Sequence, residues 1–392
     1  MSKSLKIAHV VRRYSPAEWG GTETVVMHTM EEQRALGHDP RVFCTSALQP
    51  PDARPTEDVA FFPFFYPYFP MPAADRLKLD KKGGSPYAPK LFKAVAAFRP
   101  DVIHIHAGGR LACASVKLAK RLGVPSVISL HGGAAAVPAS ELEEMLKPLK
   151  GKFPYGAILD RLFGLRFDPL AKVDVIICIS HEEERRLKEK YPGRNVQYLP
   201  NGVDGGEGRA AARPGSSNIL CVSRIDYQKN QLALVELLAA RPGCHVTLVG
   251  PITARWYADK IVARAKELGV GDRLTLVPGL PPGSAELEAA FASADVFVLP
   301  SVHEPFGIVA LEAMVRGIPL ITSNVGGLPD FVKDGENGLL FDPSDPANLV
   351  RAFDRLAALS QESIAGMVSA ARATAAQFSW RSVVDRLMRI YP

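Results

Sequence analysis

Asp295-Val-Phe-Val-Leu-Pro-Ser-Val-His-Glu304-Pro-Phe-Gly-Ile-Val-Ala-Leu-Glu312-Ala-Met-Val-Arg-Gly317 reads as a strand, a short loop and a helix that begins near Gly307. A loop just past a strand's carboxyl end is where open α/β sheets bind ligands. The helix behind it offers free N–H groups and a positive dipole end to a phosphate or polar sugar group. Glu304 stands in that loop, pinned by Pro305 and beside Gly307, where backbone can approach a ligand closely. Glu312 has only apolar neighbours from Ile308 to Val315, and an unpaired buried charge is costly, so a polar group should meet it. A ribose diol fits that role. The alternative is an i,i+4 pair with Arg316 on a wet face, worth only ~0.3–0.5 kcal/mol.

The same alternation runs from end to end: short β-branched runs ending in Gly, Ser or His, each followed by a segment of helical period. That is the signature of parallel sheets with crossover helices, an α/β fold. Candidate strands in the first half are 6–11, 41–45, 102–106, 126–130, 173–179 and 196–199. In the second half they are 219–222, 245–249, 274–277, 296–299, 320–322 and 339–341. Two separate sheets are expected. Ser180-His-Glu-Glu183 after a strand is a capping box, so the charged run through Tyr191 should be helical with a solvated face. Residues 201–217 are rich in Gly and breakers and make the best linker, with a cut near 205. The aromatic, proline-dense stretch 60–72 is expected to be a loop, because its prolines lack donors.

Composition sets the bounds. The chain has 392 residues, 47% hydrophobic and 22% charged, which suits about two compact domains. A net charge of +6 favours an anionic ligand but is too weak to argue nucleic acid. Five scattered cysteines, odd in number and mostly within apolar runs, read as small buried hydrophobes of a reducing compartment. The apolar run 7–11 is too short for a secretory signal, and no 18-residue apolar stretch occurs, so a cytoplasmic protein is expected.

In Ser223-Arg224-Ile-Asp-Tyr-Gln-Lys229, two cations bracket a turn between a strand end and a helix start. Arg's planar fork and Lys's point charge suit a departing diphosphate. The Gly20-Gly21 loop follows the first strand and can admit a phosphate or sugar to its backbone, but it is not GxGxxG, which argues against nicotinamide and flavin enzymes. His131, at a strand end before Gly132-Gly133, can bring an imidazole that titrates near neutrality to the same place. His104 and His106 share a strand face; without further identifiable ligands they read as satisfied strand histidines. There is no DxD pair, so no metal is expected, and Walker A, HExxH and Gly-x-Ser-x-Gly patterns are missing.

Taken in order, Gly20-Gly21, Pro100-Asp-Val-Ile-His-Ile-His106, His131, Ile179-Ser180, Asn201-Gly-Val-Asp204, Arg224 with Lys229, Glu304 to Glu312 (an E-x7-E spacing) and Gly326-Gly327-Leu-Pro-Asp330 resemble the retaining glycosyltransferases of the GT4 family. The resemblance spans nearly the whole chain. It implies a GT-B fold, two Rossmann-like doubly wound lobes facing a cleft: an acceptor lobe, 1–204, with 379–392 crossing back onto it, and a donor lobe, 205–378. It implies transfer of a sugar from a nucleoside-diphosphate sugar to a hydroxyl acceptor, with retention and without metal or other cofactor. Such hexosyltransferases serve cell-surface polysaccharide, glycolipid or small-glycoside biosynthesis. By motif match Arg224 and Lys229 would bind the diphosphate and Glu312 the ribose. Glu304 and the backbone of Phe306, Gly307, Ile308 and Val309 would hold the donor sugar and phosphate, with His131 and Gly21 completing the site. The chain departs from the family after Asp204, where Gly-Gly-Glu-Gly stands in place of a frequent aromatic residue.

Competing readings are a GT-B epimerase or phosphorylase, separated by product analysis, and a non-catalytic sugar-nucleotide-binding protein, which would bind without turnover. The 60–72 loop with Lys78, Lys81, Lys82, Lys147, Lys150 and Lys152 suits either a solvated face or a peripheral contact with an anionic inner-membrane surface near a lipid-linked acceptor.

Overall fold

The computed structural model describes residues 4–15, 20–82, 84–132, 147–205, 218–281 and 283–392. The chain divides into two compact units, Met1–Leu199 with Val383–Pro392, and Pro200–Ser382. The division precedes the Gly-rich segment instead of falling at 205. The reason is local: Val203 N–H donates to the Phe378 carbonyl, and Gly202 lies so close to Trp380 that a Cβ would come within 2.4 Å of the indole. Residues 206–217 of the expected linker lie outside the described residues.

The first unit is built on seven parallel strands, β1 (Lys6–Val11), β2 (Asp39–Thr45), β3 (Val59–Phe62), β5 (Val102–His106), β6 (Ser126–Ser129), β8 (Val175–Cys178) and β9 (Asn195–Tyr198), ordered β3-β2-β1-β5-β6-β8-β9. Two short strands, β4 (Tyr68–Phe69) and β7 (Phe153–Pro154), form a separate antiparallel pair. Both faces of the large sheet are covered. Ala8, Val10, Ile103 and Ile105 point into one core, and Ile7, Val102, Val127 and Ile177 into another closed by Val383, Leu387 and Tyr391. Burial on both faces is why these strands are near-continuously apolar. The stretch 60–72 is not a loop throughout: its start is the edge strand β3, which ends before the first proline at Pro63, and Tyr68–Phe69 pairs with Phe153–Pro154. An edge position tolerates the donorless prolines that follow.

The second unit holds six parallel strands, β10 (Asn218–Val222), β11 (His245–Val249), β12 (Leu274–Val277), β13 (Val296–Leu299), β14 (Leu320–Ser323) and β15 (Leu339–Phe341). Their order is β12-β11-β10-β13-β14-β15. This is the 3-2-1-4-5-6 order of a doubly wound sheet, and its topological switch lies between β10 and β13. The chain leaves one side of β10 and resumes on the other, which sets the loops after these two strands side by side at the switch point, where open α/β sheets bind ligands. Ser180 caps the helix His181–Lys190 by accepting from Glu183 N–H, as the capping box implies. All five cysteines are buried and free.

Candidate active site

The switch point of the second sheet brings together the two segments singled out in the sequence. After β10 the chain turns through Ser223-Arg224 into a short 3₁₀ turn, Tyr227–Lys229, capped by the Asp226 carboxylate, which accepts from Gln228 N–H at 3.1 Å. The turn is drawn tight against β11. Gly250 sits at φ +154°, and a Cβ there would fall 1.9 Å from the Ser223 carbonyl oxygen, so only glycine fits. After β13 the chain runs through Pro300 to Gly307, and Val302 N–H donates to the Gln228 carbonyl at 2.8 Å, fastening the second loop to the first.

Lys229 and Glu304 meet directly. Lys229 Nζ lies 2.6 Å from Glu304 Oε2, and Ser301 Oγ donates to the same oxygen at 3.1 Å. Both charged side chains are about nine-tenths buried, at 12% and 9% exposure. Ser301 is in turn held by Ser323 Oγ, which donates to its carbonyl at 2.6 Å. A buried pair of this kind is retained only where further hydrogen bonds satisfy it, and Ser301 supplies one. Arg224 is different: its side chain is half exposed, 3.8 Å from Asp226, leaving the guanidinium open to an incoming anion.

Gly307 caps the helix Ile308–Val315 in the left-handed region, at φ +93°, and a Cβ there would strike Leu328 at 2.6 Å. The helix therefore opens without a side-chain cap, presenting the N–H groups of Ile308 and Val309. Phe306 contributes only backbone, because its ring is buried against Phe331 and Phe378. The Gly326-Gly327 pair closes over the loop: Gly327 N–H donates to the Glu304 carbonyl at 3.1 Å, and a Cβ on Gly326 would sit 1.9 Å from that oxygen.

Glu312 lies on the same helix, and the i,i+4 alternative for it fails. The Arg316 guanidinium pairs with Glu288 at 3.0 Å and donates to the backbone carbonyl of Glu312, not to its carboxylate. Among the described residues no hydrogen-bond donor meets that carboxylate. Burial raises its pKa above the ordinary carboxylate range; Arg316 opposes this while Glu288 and Asp204 add to it.

Gly21 and His131 belong to the first unit. Gly21 opens the helix Gly21–Ala35 with nothing among the described residues within 4 Å of where a Cβ would stand, so their packing does not demand glycine there. His131 follows β6, its Nε2 2.9 Å from His106 Nδ1; its own Nδ1 is buried without a partner among the described residues. Burial pushes its pKa down to about 4. Gly133 lies outside the described residues. Sequence reading missed Ser301, Gln228 and Gln231. Gln231 donates through Nε2 to Ser223 Oγ and to the Arg224 carbonyl while its buried Oε1 stays unpartnered. Their only local signal is proximity to the two loops.

Two family models match, "Glycosyltransferase Family 4" over residues 19–205 and "Glycosyl transferases group 1" over residues 209–374. A D-inositol 3-phosphate glycosyltransferase of Segniliparus rotundus is 31% identical, over 69% of this chain and 61% of that protein. A glycogen synthase of Mycobacterium tuberculosis is 30% identical, over 75% of this chain and 69% of that protein. The chain thus spans less than two thirds of the first of these relatives. The solved Anabaena protein Alr3699/HepE, in complex with UDP and glucose, shares the fold with a TM-score of 0.70 at 18% identity, over 98% of this chain and 99% of that one. With both halves matched by glycosyltransferase models, and with charged loops gathered at a doubly wound switch point, the chain belongs to the GT4 glycosyltransferases of GT-B fold.

Proposed function

We propose that this protein transfers a glycosyl group from a nucleoside-diphosphate sugar to a hydroxyl acceptor, with retention of anomeric configuration and without a metal ion. The observation that carries the reading is the buried Lys229–Glu304–Ser301 cluster beside the uncapped helix Ile308–Val315, at the carboxyl ends of β10 and β13. Two negative charges develop on a departing diphosphate. Arg224, Lys229 and the first-turn N–H groups of Ile308 and Val309 supply preorganised positive charge and donors against them. The carboxylate of Glu312, partly exposed and met by no donor among the described residues, suits a ribose diol whose two hydroxyls would donate to it. Glu304, oriented by Lys229 and Ser301, accepts from donor-sugar hydroxyls. His131 offers an unprotonated ring nitrogen to a hydroxyl, and the open space at Gly21 allows backbone to approach the acceptor or phosphate.

Incubation with a panel of UDP-, GDP- and ADP-sugars and candidate acceptors, read by mass spectrometry, tests the reading. A new glycoside with release of the nucleoside diphosphate, undiminished by a chelator, supports it; an epimerised sugar, phosphorolysis or tight binding without turnover refutes it. The donor-linked anomeric carbon, followed by NMR, reports retention.

The first unit bears a surface suited to a lipid-linked acceptor at a cytoplasmic membrane face. Phe69 and Phe153 are paired across β4 and β7, 71% and 65% exposed, and Ile158 and Leu162 stand exposed one turn apart on the helix Gly156–Leu162. Phe163 also lines an apolar recess of about 590 Å³ with Tyr87, Phe92 and Leu118. Of the basic residues named for this surface, Lys152 and Lys78 are engaged with Asp75, at 2.7 and 3.8 Å, and Lys81, Lys147 and Lys150 also have partners. No helix among the described residues is long and apolar enough to cross a membrane, so contact would be peripheral. Sedimentation with anionic vesicles at low and high salt tests this; absence of binding at both removes it.

A further inference from the structure

A chain of hydrogen bonds runs through the first unit from Gln33 to His131. His131 Nε2 is 2.9 Å from His106 Nδ1, His106 Nε2 is 3.0 Å from His9 Nδ1, and His9 Nε2 is 2.8 Å from Gln33 Oε1. A second branch leaves the same amide. Gln33 Nε2 donates to Tyr391 Oη at 3.1 Å, Tyr391 Oη is 2.7 Å from His104 Nδ1, and His104 Nε2 is 2.7 Å from Ser129 Oγ. Gln33, His9, His104 and His106 are buried.

The direction of this chain follows from one amide. Gln33 is wholly inaccessible, and its two amide hydrogens have two acceptors, Tyr391 Oη and, at 3.8 Å, the Met388 sulfur. Turned the other way, the carbonyl oxygen would lie against that sulfur and one buried amide hydrogen would have no acceptor. Gln33 Oε1 therefore faces His9 and can only accept, so His9 carries its hydrogen on Nε2 and leaves Nδ1 bare. His106 must then donate from Nε2 to His9, and His131 from Nε2 to His106. Burial lowers the pKa of all four histidines, to about 4 for His9 and His131, so each ring holds a single hydrogen at neutral pH. Among the described residues one ring nitrogen of the eight ends the chain without a partner, His131 Nδ1.

We propose that Gln33, His9 and His106 are positioning residues that fix the tautomer of His131, holding its Nδ1 as a bare acceptor for a substrate hydroxyl. The amide that sets the direction is anchored by Tyr391, so the last residues of the chain take part in the device. The inference deepens the role given to His131 above and rests on that reading for the identity of the hydroxyl. His9, His104 and His106 also present nitrogens within 4.8 Å of one another, a spacing a metal ion can use. All six of their ring nitrogens are already engaged, and a metal would have to break those bonds.

Long-range ¹H–¹⁵N correlation spectra of the ¹⁵N-labelled full chain, with His131 assigned by its loss in His131→Gln, read the tautomer directly. The expected result is His131 protonated on Nε2 and bare on Nδ1 in the wild type. Gln33→Glu, which still accepts from His9, keeps that pattern, and Gln33→Leu, which cannot accept, loses the single tautomer. An Nδ1–H His131 in the wild type, an unchanged tautomer in Gln33→Leu, or replacement of the pattern on adding Zn²⁺ alone would overturn the proposal. Should Gln33→Leu not fold, the wild-type and Gln33→Glu spectra still decide. The readout is independent of turnover, so a chain that transfers no sugar defeats the donor reading and leaves the relay standing.

Discussion

Lys229 and Glu304 show why stability and function must be separated at the scale of single residues. Removing one partner of a buried pair leaves the other charge uncompensated, at about 3–5 kcal/mol. Lys229→Ala should therefore melt well below the wild type, and Lys229→Met with Glu304→Gln should recover most of that loss in thermal denaturation. Transfer should not recover: kcat/KM stays down by about 10²–10³ in the double variant, as for a lost preorganised donor. Recovery of both together would mean the pair is structural only. Glu312 gives a pH test. Its folded-state pKa lies above the unfolded value, so the native state holds its proton longer and the chain loses stability as pH rises from the ordinary carboxylate pKa through the raised one. Glu312→Gln removes that slope; melts across the acidic range should show the variant gaining on the wild type as pH rises. The same substitution should weaken nucleoside-diphosphate binding by about tenfold or more, since hydrogen bonds to a charged acceptor are worth ~1.5–3 kcal/mol.

At the scale of elements, two loops are held in place by glycines whose neighbours allow no side chain. Gly326 sits at φ +57° against the Glu304 carbonyl. Gly326→Ala should displace the loop after β13 and lower kcat/KM while far-ultraviolet circular dichroism stays native. Gly21→Ala meets open space and should leave the melting temperature unchanged, so any rise in KM reports contact with substrate. These elements were legible in the sequence because each signal is local. The strand at 296–299, Glu304, the Gly307 cap and Glu312 lie within one strand–loop–helix unit, and Arg224 and Lys229 within another, after β10. The Lys229–Glu304 contact was not legible, since it joins residues 75 apart through the β10–β13 pairing. The relay was less so: His104 and His106 declare a shared face, but His9 lies 97 residues from His106, and Gln33 lies 358 from Tyr391. Edge strand β3 was hidden by the prolines beyond it.

For the molecule as a whole, each unit owes its core to a sheet covered on both faces, and the first unit completes one face with the chain's last residues. Val383, Leu387 and Tyr391 close the core over Ile7, Val102, Val127, Val175 and Ile177. Leu387→Ala should cost about 2–5 kcal/mol, because the helix Trp380–Ile390 that carries it cannot collapse fully into the space left. Hydrogen exchange should assign that loss to β1, β5, β6 and β8 and leave β10 to β15 protected; uniform deprotection would contradict the division into separately built units.

If the loops after β10 and β13 hold an activated sugar by its diphosphate, a free nucleoside diphosphate must bind there too. Calorimetric titration of UDP, GDP and ADP into the wild type and Arg224→Ala tests it most directly. At least one of the three should bind the wild type at a single site and lose affinity by tenfold or more in the variant, whose half-exposed side chain contributes little to folding. Failure of all three to bind, or binding of equal strength to both proteins, would contradict it.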